Sequence, residues 1–132
     1  MVELVKVTDK AAELIARLRE MYGDIVFHQS GGCCDGSAPM AYPAGEFRIA
    51  ERDVFLGEIA GCPFYIGGNQ YGVWCHTQLE IDAVPGRGSG FSLEAPEGVR
   101  FLTRSRVFTE DEEAEIKALG LPLRGPQPHK AV

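Results

Sequence analysis

Apolar residues recur at helical spacing near the start of the chain. In "VTDKAAELIARLREMYGD", Ala11, Leu14, Ile15, Leu18 and Met21 or Tyr22 share one face, which predicts an amphipathic helix. Thr8 or Asp9 stands where an N-cap oxygen is wanted, and Gly23 suits the positive-φ residue that ends such a helix. The period then shortens to two. "DIVFHQ" reads as a short strand with Ile25 and Phe27 on one side and Val26 and His28 on the other. "EFRIA", "DVFLGEIAG" and "CPFYIGG" follow as strands punctuated by Gly, Asp and Pro. "TQLEIDAV" alternates cleanly, with Leu79, Ile81 and Ala83 on one face and Gln78, Glu80 and Asp82 on the other. "GFSLEAP" and "GVRFLTRSRVF" add two more strands. Thr109 and Glu112 form a capping box for "EDEEAEIKALG", a short helix closed by Gly120. A helix followed by short strands in series predicts an α+β domain, an N-terminal helix packed on a mixed or antiparallel sheet with a short C-terminal helix.

The length, 132 residues, fits a single domain over residues 1–123. "RGPQPHKAV", from 124 to 132, is too poor in apolar residues to pack and reads as a disordered tail. The 16 glycines and 8 prolines favour a turn-rich fold with many strands over a helical bundle. A net charge of −6 argues against nonspecific nucleic-acid binding, which needs Lys and Arg to displace counterions from phosphates. Arg100, Arg104 and Arg106 do cluster, but Glu94, Glu97 and Glu110 surround them, as on a solvated face. No apolar run approaches the roughly 20 residues that span a bilayer. The N-terminus carries Glu3 and Asp9 and lacks the apolar core of a signal peptide. The expected location is the cytoplasm, where cysteines stay reduced and metal or redox chemistry outranks a structural disulfide.

The stretch that carries chemistry is "FHQSGGCCDGSAPM". Glycine costs about 1 kcal/mol per residue in a helix and weakens a strand, so the segment is a bend fixed by backbone geometry and bearing two thiols. A second stretch, "WCHTQ", adds one more thiol and an imidazole. The candidate ligands are therefore His28, Cys33, Cys34, Cys75 and His76. Thiolate with imidazole suits zinc or iron, although no C-x-x-C spacing is present. Cys62, between Gly61 and Pro63 at a strand start, reads as packing. A Cys–His nucleophile and base pair drawn from the same residues is the enzymatic alternative, with Cys33 or Cys75 as nucleophile and His28 or His76 as the base that deprotonates it. Glu80 and Asp82 share a strand face, which more often means a polar surface than paired catalytic acids.

Two families are similar to this sequence. "VTDKAAELIARL", "SGGC" with "DGSAPMAY", "GEIAGCPFYIG" and "LEIDAVPGRGSGFSLEAPEG" resemble, in order, the opening helix, glycine–cysteine loop and later strands of the HesB/IscA-like A-type carriers. The resemblance implies a HesB-like fold and places Cys33 on the first cluster cysteine of those carriers. Their later Cys-x-Cys pair has no counterpart in "PEGVRFLTRSRVF", so zinc or iron is favoured over an iron–sulfur cluster. "FHQSGGCCDGSAPM" together with "WCHTQLEIDAVPGRGSGFSLE" resembles, over nearly the whole chain, the bacterial domain-of-unknown-function family 779. Genes of that family commonly lie beside those of NAD-dependent aldehyde dehydrogenases. The resemblance implies an accessory role toward such a dehydrogenase, as chaperone, regulator or handler of metal and thiol, rather than an enzyme in its own right. A pure interaction module with structural cysteines is the third reading. A homodimer is compatible with all three.

Overall fold

The computed structural model of the chain describes residues 3–29, 38–86 and 92–125. The N-terminal helix, α1, is Asp9–Tyr22, and Thr8 caps it by accepting the Ala11 N–H. Ala11, Leu14, Ile15 and Leu18 are buried along its inner face, whereas Met21 and Tyr22 are exposed. The stripe thus ends a turn early, because the last turn extends past the core. Gly23 follows with φ 81°.

Where the patterning predicts one sheet, two form. The first contains β1 (Val5–Val7), β6 (Thr77–Pro85) and β7 (Val99–Val107) in that order, β1 parallel and β7 antiparallel to β6. The second runs β3 (Met40–Pro43), β2 (Ile25–Gln29), β5 (Cys62–Ile66), β4 (Val54–Ile59), β8 (Leu123–Arg124). Within it β2 is parallel to β5 and the remaining pairs are antiparallel. A short helix, α2 (Gly68–Trp74), joins β5 to β6, and α3 (Glu110–Leu119) follows β7 with the expected Thr109–Glu112 capping box. The chain is a mixed α+β domain. Among the described residues no helix is long and apolar enough to cross a membrane.

Two segments depart from strand. "EFRIA" contributes Glu46 to a 3-10 turn over Ala44–Glu46 and then runs irregularly. Its backbone groups go to a local turn instead of a ladder: the Ala50 N–H donates to the Asp53 carboxylate, and the Asp53 N–H to the Ala50 carbonyl. The described part of "GFSLEAP" is a turn leading into a 3-10 helix at Ala95–Glu97. Ser92 and Glu94 point inward there and take up backbone N–H groups of β3 and β7. Arg124, at the start of the expected tail, stands beside Val54 in β8, and the Gly125 N–H bonds to the Asp53 carbonyl. Residues 126–132 lie outside the described residues.

The β4–β5 hairpin turns on Ala60 and Gly61, both at positive φ (48° and 80°), the conformation a two-residue hairpin of this twist requires. Arg19 of α1 donates to the Ala60 carbonyl and ties helix to turn. On β6, Leu79, Ile81 and Ala83 are buried, as their alternation predicts. The sheets meet where Phe27 of β2 packs edge-on against Phe101 of β7, ring centres 5.1 Å apart. Beside that contact, Thr103 of β7 donates to the Gln29 side-chain oxygen at 2.9 Å, a buried bond. All five residues of β2 are buried, so both faces of this strand are covered. Phe27 and Gln29 look toward the other sheet. By strand alternation, Val26 and His28 look away from it.

Candidate functional site

His28 occupies the penultimate position of β2, opposite Met40 of β3 and beside Tyr65 of β5. Its outward face is covered by the irregular segment between β3 and β4. Phe47 lies 5.0 Å from the imidazole, centre to centre, and is itself stacked on Tyr42 at 4.3 Å. From the end of the same segment Asp53 reaches back, and its Oδ1 is 3.1 Å from His28 Nε2. Both side chains are less than one-tenth exposed. The second carboxylate oxygen accepts the Ala50 N–H at 2.8 Å. An ionised carboxylate can only accept, so Nε2 carries the hydrogen of this bond and the ring is fixed in orientation. Gly67 closes in on the other side: a Cβ there would sit 3.8 Å from the His28 Cε1.

His28 was legible as a candidate in the sequence; Asp53 was not. In "ERDVFL" an aspartate before a strand reads as turn punctuation, and its partner lies in a distant part of the chain. Only the sheet order, which sets β4 two strands from β2, brings the segment before β4 back over His28.

Two of the other candidates, Cys75 and His76, are elsewhere. Cys75 and His76 follow α2, so the chain between β5 and β6 is a helical turn and not extended strand. The Cys75 thiol donates to the Gly72 carbonyl at 3.4 Å. His76 is well exposed, and its Nδ1 pairs with Glu113 of α3 at 2.7 Å. Cys33 and Cys34 lie outside the described residues; the strands on either side of them, β2 and β3, pair with His28 facing Met40. Cys62 is buried as expected, and burial pushes its thiol up to about 11 despite the nearby Arg19 charge.

The carboxylates separate into two kinds. Asp82 is pulled up by burial, yet hydrogen bonds from Thr8, Arg104 and the Ala83 N–H outweigh this and hold it below its usual range. Glu80 pairs with Lys6 at 3.6 Å. Arg106 grips Glu112 through two bonds, 2.8 and 2.7 Å. These are the structural ion pairs of a polar face. Glu94 is different, because it is not on the solvated face where the arginine cluster suggests it. It is 1% exposed, accepts from the Ser92 hydroxyl and the Phe101 N–H, and is raised by its burial. Ser92 in turn accepts the Ala41 N–H at 2.8 Å. This network pins the turn after residue 91 onto the edges of both sheets.

The sequence matches one family over residues 14–107, from the middle of α1 to the end of β7. This chain belongs to the DUF779 family. The family is described as a domain of unknown function. No curated protein and no solved structure matches this chain. The matched span of the DUF779 chain holds both members of the His28–Asp53 pair, whereas Glu113, the partner of His76, lies beyond it.

Among the described residues of the DUF779 chain, no three His, Cys, Asp or Glu side chains converge to hold a metal ion. His28 and His76 each pair through a ring nitrogen with a carboxylate, Asp53 and Glu113 respectively. The described residues do not fit a zinc or iron site by themselves. They fit an imidazole held in one orientation by a buried acid, the arrangement that second-shell carboxylates impose on a working histidine.

Proposed function

We propose that this DUF779 chain is an accessory protein that works through the thiols of Cys33 and Cys34, with the His28–Asp53 pair, on the strand that precedes them in sequence, governing proton exchange. Its partner in this reading is an aldehyde dehydrogenase, as the gene neighbourhood of the resembling family implies, and its fold is of the HesB-like kind. The observation that supports the reading is the buried, carboxylate-oriented imidazole on the strand that leads directly into the cysteine segment. A histidine there is expensive to bury unless it is paired, and a pairing that also fixes the ring suits proton transfer to or from a thiol.

Native alkylation of the full chain with iodoacetamide, followed by mass mapping, tests this. Cys33 or Cys34 should be modified near neutral pH, and Asp53→Asn should slow that reaction and shift its pH profile. Cys62→Ala should leave it unchanged. Cysteines 33 and 34 reacting no faster than a model peptide thiol, with no effect of Asp53→Asn, would sink the reading. Elemental analysis of untagged protein separates the metal branch: stoichiometric zinc or iron, lost in Cys33→Ala, would make the role metal handling. Failure of the dehydrogenase to co-purify would remove that partner while leaving the thiol site standing.

A further inference from the structure

α1 and the ends of β6 and β7 around Pro85 and Val99 line a groove of about 600 Å³. That volume lies within the range of small-molecule sites. Its floor is apolar: Leu14 from the helix, Ala83, Val84 and Pro85 from β6, and Val99 from β7. Its rim is charged. Lys10, Glu13 and Arg17 fall at i, i+3 and i+7 along the exposed flank of α1 and all three line the groove. Glu13 and Arg17 are spaced to pair with one another, yet neither Lys10 nor Arg17 makes an ion pair among the described residues. Two cations with no ion-pair partner among the described residues stand over an apolar trough, in a chain whose net charge is −6.

We infer that this groove binds an amphiphilic monoanion, a medium-chain fatty acid, with its acyl chain along the apolar floor and its carboxylate between Lys10 and Arg17. The apolar floor recognises the chain by area removed from water. Arg17 presents a planar fork that matches a carboxylate, and Lys10 adds a point charge. Glu13 sets the charge of the ligand: with two cations and one anion on the rim, the local charge is +1, which balances a carboxylate and disfavours a doubly charged phosphate. A neutral alcohol of the same length would gain only the floor.

The experiment is a titration of the full-length, isotope-labelled chain with sodium decanoate below its micelle concentration, followed by amide chemical shifts, with decan-1-ol as the neutral control. Saturable shifts at residues 10–17, 83, 84 and 99 are expected, with decanol binding more weakly. Lys10→Ala and Arg17→Ala should each weaken decanoate by a factor of about 3 to 10, and Glu13→Gln should tighten it. These three positions are exposed, so thermal melts should show the variants folded. Equal binding of decanol and decanoate, affinity indifferent to Arg17→Ala, or shifts produced only by anionic lipid vesicles would each overturn the assignment. This site shares no residue with the His28–Asp53 pair, so either can fail alone.

Discussion

Replacing Asp53 with alanine tests whether the His28 pair is the anchor that the geometry makes it. The carboxylate receives two donors, His28 Nε2 at 3.1 Å and the Ala50 N–H at 2.8 Å. Hydrogen bonds to a charged acceptor contribute about 1.5–3 kcal/mol each when their loss strands a buried partner. Two of them give about 3–6 kcal/mol, which overlaps the roughly 3–5 kcal/mol cost of breaking one side of a buried pair. A domain of this kind has a total stability of about 5–15 kcal/mol, so Asp53→Ala should leave a folded but weakened protein. With an m-value of roughly 2 kcal/mol/M, the urea midpoint should fall by about 2 M. His28→Phe and the double variant complete a cycle. The two positions should couple by about 1.5–3 kcal/mol, because Asp53 keeps its Ala50 bond when the imidazole is gone. A midpoint loss equivalent to less than about 1 kcal/mol, or coupling indistinguishable from zero, would show that the pair is incidental.

Two glycines of α2 should respond in opposite directions: a Cβ at Gly68 would sit 2.5 Å from the Arg52 carbonyl oxygen, whereas one at Gly72 meets nothing within 4 Å. Thermal melts should show Gly68→Ala destabilised by about 2 kcal/mol and Gly72→Ala stabilised by about 0.5–1 kcal/mol; matching signs would refute the packing described for this helix. The Cys62 thiol, pushed up to about 11 by burial, should stay unreactive to Ellman's reagent at mildly alkaline pH until denaturant is added, and reaction in the native state would show that the β5 end opens. Glu94, raised by burial against its Ser92 and Phe101 bonds, is held as the protonated form more strongly when folded than when unfolded. Its contribution is therefore fully present below the ordinary carboxylate range and is lost as pH rises through the folded value. The melting temperature of Glu94→Gln relative to the unsubstituted chain should accordingly climb as pH rises from the ordinary carboxylate range and level off above the folded value; a difference independent of pH would contradict this.

Features set by near neighbours in the chain could be read directly. The α1 stripe with its Thr8 cap, the Thr109–Glu112 box of α3 and the alternation of β6 all depend on residues within one or two turns of each other, so the sequence carries the whole of their cause. The candidate site was legible by half. An imidazole on a strand before two cysteines stands out, but the acid that orients it depends on the order β2-β5-β4 in the sheet. The same dependence hid α2, whose two glycines break any stripe, and β1 and β8, too short to show a period and held by partners far along the chain. It also explains the two segments that look like strands and are not. "EFRIA" closes on itself because Asp53 captures Ala50, and Ser92 with Glu94 turns inward because Ala41 and Phe101 present buried N–H groups that need an acceptor. The sequence by itself determined the elements whose hydrogen bonds and apolar contacts are local. Tertiary structure decided which strand edges meet and which polar side chains must satisfy buried backbone, because those choices depend on groups brought together only once the two sheets have packed.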